Sequence, residues 1–325
     1  MADLDDRFKG VDPKIAEEIQ MYEIQYFRED KPIPFCGLNI YPATVREYEI
    51  FSNCASCLTL NKNEDPAGIR MSQLDYLLTK TQIPGEEGVA WSFKIQKLFE
   101  IIFHIKNGLK CNNCGAVLTY DSDIFIDFVT KIQNLQQKED LTDIKEEDIP
   151  KLCCPECGQH EFTEMIKIIQ DEKTKKHSLL IDGHTISGPD YNRLRQIVLF
   201  QNYPDYRDDS WVDASLKKDY EERMRLERQK NDVYASVEQK VTCLVISTHF
   251  NYEEVYNMSI RRFTSALSTV DDLVNYKIMK TAVSSGFISL PEGKTIEHWI
   301  YKPQKDMYGD VYRSTEQTMS KANNL

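Results

Sequence analysis

Two short motifs, Cys111-Asn-Asn-Cys114-Gly115 and Cys154-Pro-Glu-Cys157-Gly158, constrain the fold of this chain more than any other feature. In each, two intervening residues let both thiolates turn toward one ion, and the glycine permits a tight turn around the sulfurs. Four thiolates suit Zn2+, which takes them tetrahedrally and leaves no position for a substrate water. The pairs stand 40 residues apart, Cys114 to Cys154, more than a zinc ribbon usually spans. Loop-closure entropy grows only slowly with length, so a ribbon tolerates such an insertion. The spacing predicts one closed, structural zinc site on Cys111, Cys114, Cys154 and Cys157. Cys153 competes for the fourth position, but Cys154-x-x-Cys157 repeats the first knuckle and is preferred; His160 close by is an alternative ligand, but a surface histidine is the preferred reading.

The remaining cysteines do not extend this site. There are nine in all, and nothing at the acidic start MADLDDRFKG reads as an export signal. They are therefore expected to be thiols and metal ligands in a cytosolic protein rather than a disulfide framework. Cys54 and Cys57, in NCASCL, form a third pair without the glycine, in an apolar, helix-like context. They read as a buried pair, with a redox couple as the competing reading.

Signals for chemistry are otherwise weak. LPEGKT at Leu290 ends like a phosphate-binding loop, but Ile288 stands where the motif needs glycine, so a turn is expected. No histidine pair has metalloprotease spacing, and no nucleophile context appears. The chain is expected not to be an enzyme. Its net charge of −12 argues against broad nucleic-acid binding. No apolar run is long enough to span a bilayer.

Periodicity gives the organisation. Asp12-Pro13 opens a helix, and KPIPFCGLNIYP gives a strand-like piece before a helix near Thr44. Met71, Leu74, Leu77 and Leu78 recur at helical spacing behind Ser72, a candidate N-cap. WSFKIQKLFEIIFHI suits a buried helix or a strand. Ile124, Ile126 and Phe128 alternate, which suggests a strand, followed by an acidic, solvated insertion over 138–151. IDGHTISGPDYNRL reads as turns and a domain boundary.

Beyond it the pattern is helical: a charged helix with a thin stripe of Leu216, Tyr220 and Met224, then a face of Val237, Val241, Leu244 and Val245. Asn251 with Glu254 resembles a capping box, and Ser259 caps a long helix with the face Phe263, Leu267, Val270, Val274 and Ile278, ending near Gly286. The last dozen residues read as a loose tail. The expected fold is α+β, mostly helical, with a central four-cysteine ribbon carrying short antiparallel strands. Its regions are 1–105, helical with short strands; 106–185, the ribbon with its acidic insertion; and 186–325, helical.

Several segments together carry a family likeness: IYPATVREYEIF, MSQLDYLL, the two CxxCG knuckles, IVLFQNYPDY and FNYEEVYNMSIRRFTSAL. In this layout, from about Ile40 to Trp299, the chain resembles zinc-ribbon baseplate hub assembly proteins and tail assembly chaperones of contractile-tailed phages. The resemblance implies a non-enzymatic protein that binds hub or tape-measure components in the host cytoplasm, leaving as a chaperone or staying in the virion tail. It also carries structural zinc over onto Cys111, Cys114, Cys154 and Cys157; the face Phe263, Leu267, Val270 and Val274 is a candidate partner contact, with core packing the preferred reading. The alternative is a DNA-binding or transcription-associated protein, in which the helices before Arg261 and Arg262 form a helix-turn-helix.

Overall fold

The computed structural model describes residues 6–8, 10–62, 65–136, 150–172, 174–208 and 235–290, with isolated positions at 219–220, 222–223, 225–226, 295–296 and 298–300. The core of the acidic insertion, the last dozen residues, Pro291–Lys294 of the LPEGKT turn, and Leu216 and Met224 of the charged helix lie outside them. The chain is α+β, with helices predominating and small antiparallel sheets. It divides into two compact units: residues 11–43 with 47–202, and residues 1–10, 44–46 and 203–325. No helix among the described residues is long and apolar enough to cross a membrane.

The first unit begins with α1 (Pro13–Gln25), where the Asp12 carboxylate accepts from the Lys14 N–H and Pro13 fills the first turn. A hairpin of β1 (Ile33–Phe35) and β2 (Leu38–Ile40) follows. The sequence suggests one strand-like piece here. The chain instead reverses at Cys36 and Gly37, both at positive φ (47° and 84°), as a two-residue hairpin turn requires. Next come α2 (Tyr48–Cys54), α3 (Gln73–Thr81) and α4 (Glu86–Phe103). The Ser72 hydroxyl caps α3 by accepting from the Asp75 N–H. The stretch that suits helix or strand is helix, α4, with Ile95, Leu98, Phe99 and Ile102 turned into the core against α2 and α3.

The region between the knuckles corrects an expectation. Ile124, Ile126 and Phe128 lie not on a strand but on α5 (Asp123–Gln136). Ser122 sets its start, with its backbone carbonyl accepting from the Ile126 N–H and its hydroxyl from the Phe125 N–H. Phe125, Phe128, Val129 and Ile132 then recur at helical spacing, and this longer period outweighs a three-residue alternation.

Two small antiparallel sheets complete the frame. In the first, β3 (Gly108–Cys111) lies between β4 (Val117–Thr119) and β5 (Phe162–Glu164), so it pairs across the insertion. The second runs β6 (Ile166–Gln170), β7 (His177–Ile181), β8 (His184–Ile186). The Asp75 carboxylate, which also accepts from the Ser72 hydroxyl at 2.6 Å, ties β7 to α3. It accepts from the backbone N–H of His177 and sits 2.7 Å from His177 Nδ1. The unit closes with α6 (Gly188–Asn202), which clusters with residues 11–43 and 47–187 rather than with the helices after it. Tyr191, Leu194, Ile197, Val198 and Phe200 are fully buried. Two of its polar residues have partners inside: the Tyr191 hydroxyl donates to the Cys57 carbonyl, and the Arg195 guanidinium to the Leu58 carbonyl.

The second unit holds α7 (Val237–Ser247), α8 (Tyr252–Tyr256) and α9 (Ile260–Ser284). Ser236 with Gln239, and Asn251 with Glu254, form full capping boxes, and Ser259 caps α9. Past its end, the Gly286 N–H donates to the Val283 carbonyl and the Phe287 N–H to the Ala282 carbonyl, a Schellman closure. Val241, Leu244, Val255 and Phe263 bury one cluster with Val45. Leu267 and Val270 pack partly against it, whereas Val274 and Ile278 are exposed. The expected face of α9 thus divides into a packed half and an open half.

Candidate metal centre

The two knuckles adopt one backbone geometry. In the first, the Cys111 N–H donates to the Ala116 carbonyl and the Gly115 N–H to the Cys111 carbonyl. In the second, the Cys154 N–H donates to the Gln159 carbonyl and the Gly158 N–H to the Cys154 carbonyl. Gly115 and Gly158 sit at φ of 76° and 71°, the left-handed region that this turn needs and that a side chain would strain. The same five-residue loop is therefore built twice, once leaving β3 and once before β5.

Pairing of β3 with β5 brings the loops face to face, since Cys111 stands opposite Phe162 in the register. Thr163 on β5 reinforces it, its hydroxyl donating to the Asn112 side-chain oxygen at 2.7 Å. The four sulfurs of Cys111, Cys114, Cys154 and Cys157 come within 4.8 Å of one another. Cys111 and Cys157 are 3.6 Å apart, and Cys114 and Cys154 3.5 Å. These separations far exceed a disulfide bond of about 2.05 Å. They approach the edge of about 3.8 Å that follows from a tetrahedron with Zn–S near 2.3 Å. Cys111 and Cys154, the first cysteine of each loop, are buried, while Cys114 is exposed. Among the described residues no histidine or carboxylate joins this set. The four cysteines are thus compatible with a metal site of four soft ligands and no open position.

Electrostatics at the four sulfurs favour a cation. The Gln159 N–H donates to the Cys157 sulfur and, helped by the Asn113 side chain, holds that thiol down to about 6. The Ala116 N–H lowers Cys114 in the same way, but partial desolvation beside the other sulfurs and hydrogen bonds with Cys154, Cys157 and Cys111 outweigh it and push that thiol up to about 12. One thiolate is readily formed, and each further one is opposed by the charge already present. A divalent ion removes that opposition.

The neighbouring candidates separate cleanly. Cys153 is exposed, with its thiol toward the Lys151 carbonyl and 3.4 Å from His160 Nδ1, so neither Cys153 nor His160 belongs to the four-sulfur group. Cys54 and Cys57 are buried in the core beside α4, and burial pushes the Cys57 thiol up to about 12. A thiol so held is a poor nucleophile, which fits packing rather than redox exchange. What the sequence does not announce is the paired N–H donors after each glycine and the Asn113 contact. Their only signal is that both knuckles place the donor two residues after the second cysteine.

No curated protein and no solved structure matches the chain. The family model of the YomV second domain matches residues 227–303, the segment that holds α7, α8 and α9. YomV is a Bacillus phage-encoded protein, so this match, over the C-terminal helices, suggests a phage protein.

Proposed function

We propose that the chain is a non-enzymatic assembly protein of a phage tail, which binds tail or baseplate hub components in the host cytoplasm. The observation that carries the reading is the match of residues 227–303 to a domain of a phage-encoded protein. The layout of the segments around the knuckles points the same way, as does the exposed half of α9, where Val274 and Ile278 are open to solvent, with Phe287 exposed just past its end. Large apolar side chains exposed together suit a protein whose work is contact with other proteins.

Within this reading Cys111, Cys114, Cys154 and Cys157 hold one Zn2+ that stabilises the ribbon and takes no part in a reaction. Thiolate ligation couples metal binding to folding, so the ion would fix the pairing of β3 with β5. Deleting the gene from its phage and imaging the lysate tests the assembly role. Heads without tails, or tails arrested at the baseplate, are expected; normal infectious particles would refute it. Mass spectrometry of purified virions then separates a component that stays from a chaperone that leaves. A band shift of random-sequence DNA by the purified chain at 0.15 M salt, where about 8 Å of screening remains, would instead favour the DNA-binding alternative.

A further inference from the structure

The insertion between the knuckles carries a surface of its own. On α5, no side chain of the described residues is buried, although the helix has a clear apolar stripe of Phe125, Phe128, Val129 and Ile132. Ile124 and Ile126 flank that stripe at 45% and 51% exposure. An amphipathic helix normally turns such a stripe into a core. Here the stripe is covered only in part, with Phe125 leaning on Tyr120 at a centroid distance of 4.9 Å.

Charge indicates what could cover the rest. Residues 121–150 hold nine acids, among them Asp121, Asp123 and Asp127, against three lysines. That net charge of −6 is half of the chain's −12, in fewer than a tenth of its residues. Such a field repels nucleic acid and anionic membranes and attracts a cationic partner.

We propose that α5 is a docking helix for a lysine- or arginine-bearing amphipathic segment of a partner protein, its apolar stripe meeting the partner's and its acids flanking the contact. Helix-against-helix docking of this kind uses anchors at i, i+3, i+4 and i+7, the spacing of Phe125, Phe128, Val129 and Ile132. The inference rests on α5 and on the acidic composition of the sequence around it, and not on the phage-assembly reading.

The test uses the full chain, metal-loaded, and three labelled 14-residue probes: a Leu/Lys amphipathic helix, a scrambled peptide of the same composition, and a Leu/Glu helix. Fluorescence anisotropy should show the Leu/Lys helix binding at least about tenfold more tightly than either control, a difference of about 1.4 kcal/mol. Affinity should fall steeply between 0.05 and 0.5 M salt as screening shortens. Ile124→Ser with Ile126→Ser, and separately Asp123→Asn with Asp127→Asn, should each weaken binding several-fold while metal content and circular dichroism stay unchanged. These four side chains are exposed, so loss of fold is not expected to obscure the result. Equal binding of the three probes, or unchanged binding by both variants, would overturn the proposal. So would strong hydrogen-exchange protection confined to α5 in the free chain, which would mean that the chain's own residues already cover the stripe.

Discussion

At the scale of single residues, the candidate centre depends on which sulfur faces inward. Cys111→Ser and Cys157→Ser should each abolish stoichiometric metal binding, whereas Cys153→Ser should leave it intact, because the Cys153 thiol lies against Lys151 and His160. Elemental analysis of the three purified variants decides this. If Cys153→Ser loses the metal and Cys154→Ser keeps it, the ligand set is wrong. The gathering of these four cysteines was legible in the sequence because the Cys-x-x-Cys-Gly turn is written twice, whereas Asn113 was not, since a side chain beside a sulfur leaves no periodic mark. Asp75 gives a second residue-scale expectation. Burial alone would raise its carboxyl, but hydrogen bonds from Ser72 and His177 outweigh it and hold the group below its usual 3.8. A carboxylate lowered in the folded state contributes stability above its unfolded pKa and loses it as pH falls through the folded one. Asp75→Asn should therefore cost about 1–2 kcal/mol between pH 5 and 7. That difference should shrink below about pH 4. Melting curves of both proteins across that range check it, and a pH-independent difference would remove Asp75 ionisation from the account.

At the scale of elements, helix starts were the most readable features. Asp12, Ser72, Asn251 and Ser259 all cap where the sequence places them, because capping is a local contact between a side chain and the next turn. Asn251→Ala should accordingly cost about 0.5–2 kcal/mol, visible in urea denaturation of the second unit. Harder to read were α5, where three alternating residues imitate a strand, and the hairpin at Cys36-Gly37, whose turn residues lack the usual Asn-Gly signal. Gly88, in the first turn of α4, offers a test in which two effects oppose each other. Helix propensity favours alanine there by about 1 kcal/mol. A Cβ, however, would stand 2.1 Å from the Ile83 carbonyl oxygen and 2.8 Å from that of Thr81. Backbone oxygens cannot swing aside as a side chain would, so Gly88→Ala should destabilise the first unit. A raised melting temperature would mean that the turn between α3 and α4 yields more easily than its geometry implies.

For the whole molecule, the two units should respond differently to loss of metal. Chelation should expose amides of β3, β4 and β5 to hydrogen exchange while those of α7 and α9 keep their protection, because the four cysteines all lie in the first unit. Uniform loss of protection would mean that the ion supports the fold as a whole. The fate of α6 was not legible in the sequence: its turn-rich approach reads as a boundary, yet the helix is buried in the first unit, and burial on all sides is a property of its neighbours rather than of its own pattern. The joining of Cys114 to Cys154 across 40 residues has one more consequence. A bound ion there acts as a reversible cross-link, and a link closing a ring of that size restrains the unfolded chain by about 4 kcal/mol in the chain-entropy model. Since that quantity is logarithmic in ring size, doubling or halving the enclosed segment alters it by only about 0.6 kcal/mol. With an ion bound there, the fold would be nearly indifferent to how long the enclosed segment is, and that stretch of the gene could lengthen or shorten without weakening the knot that holds its ends.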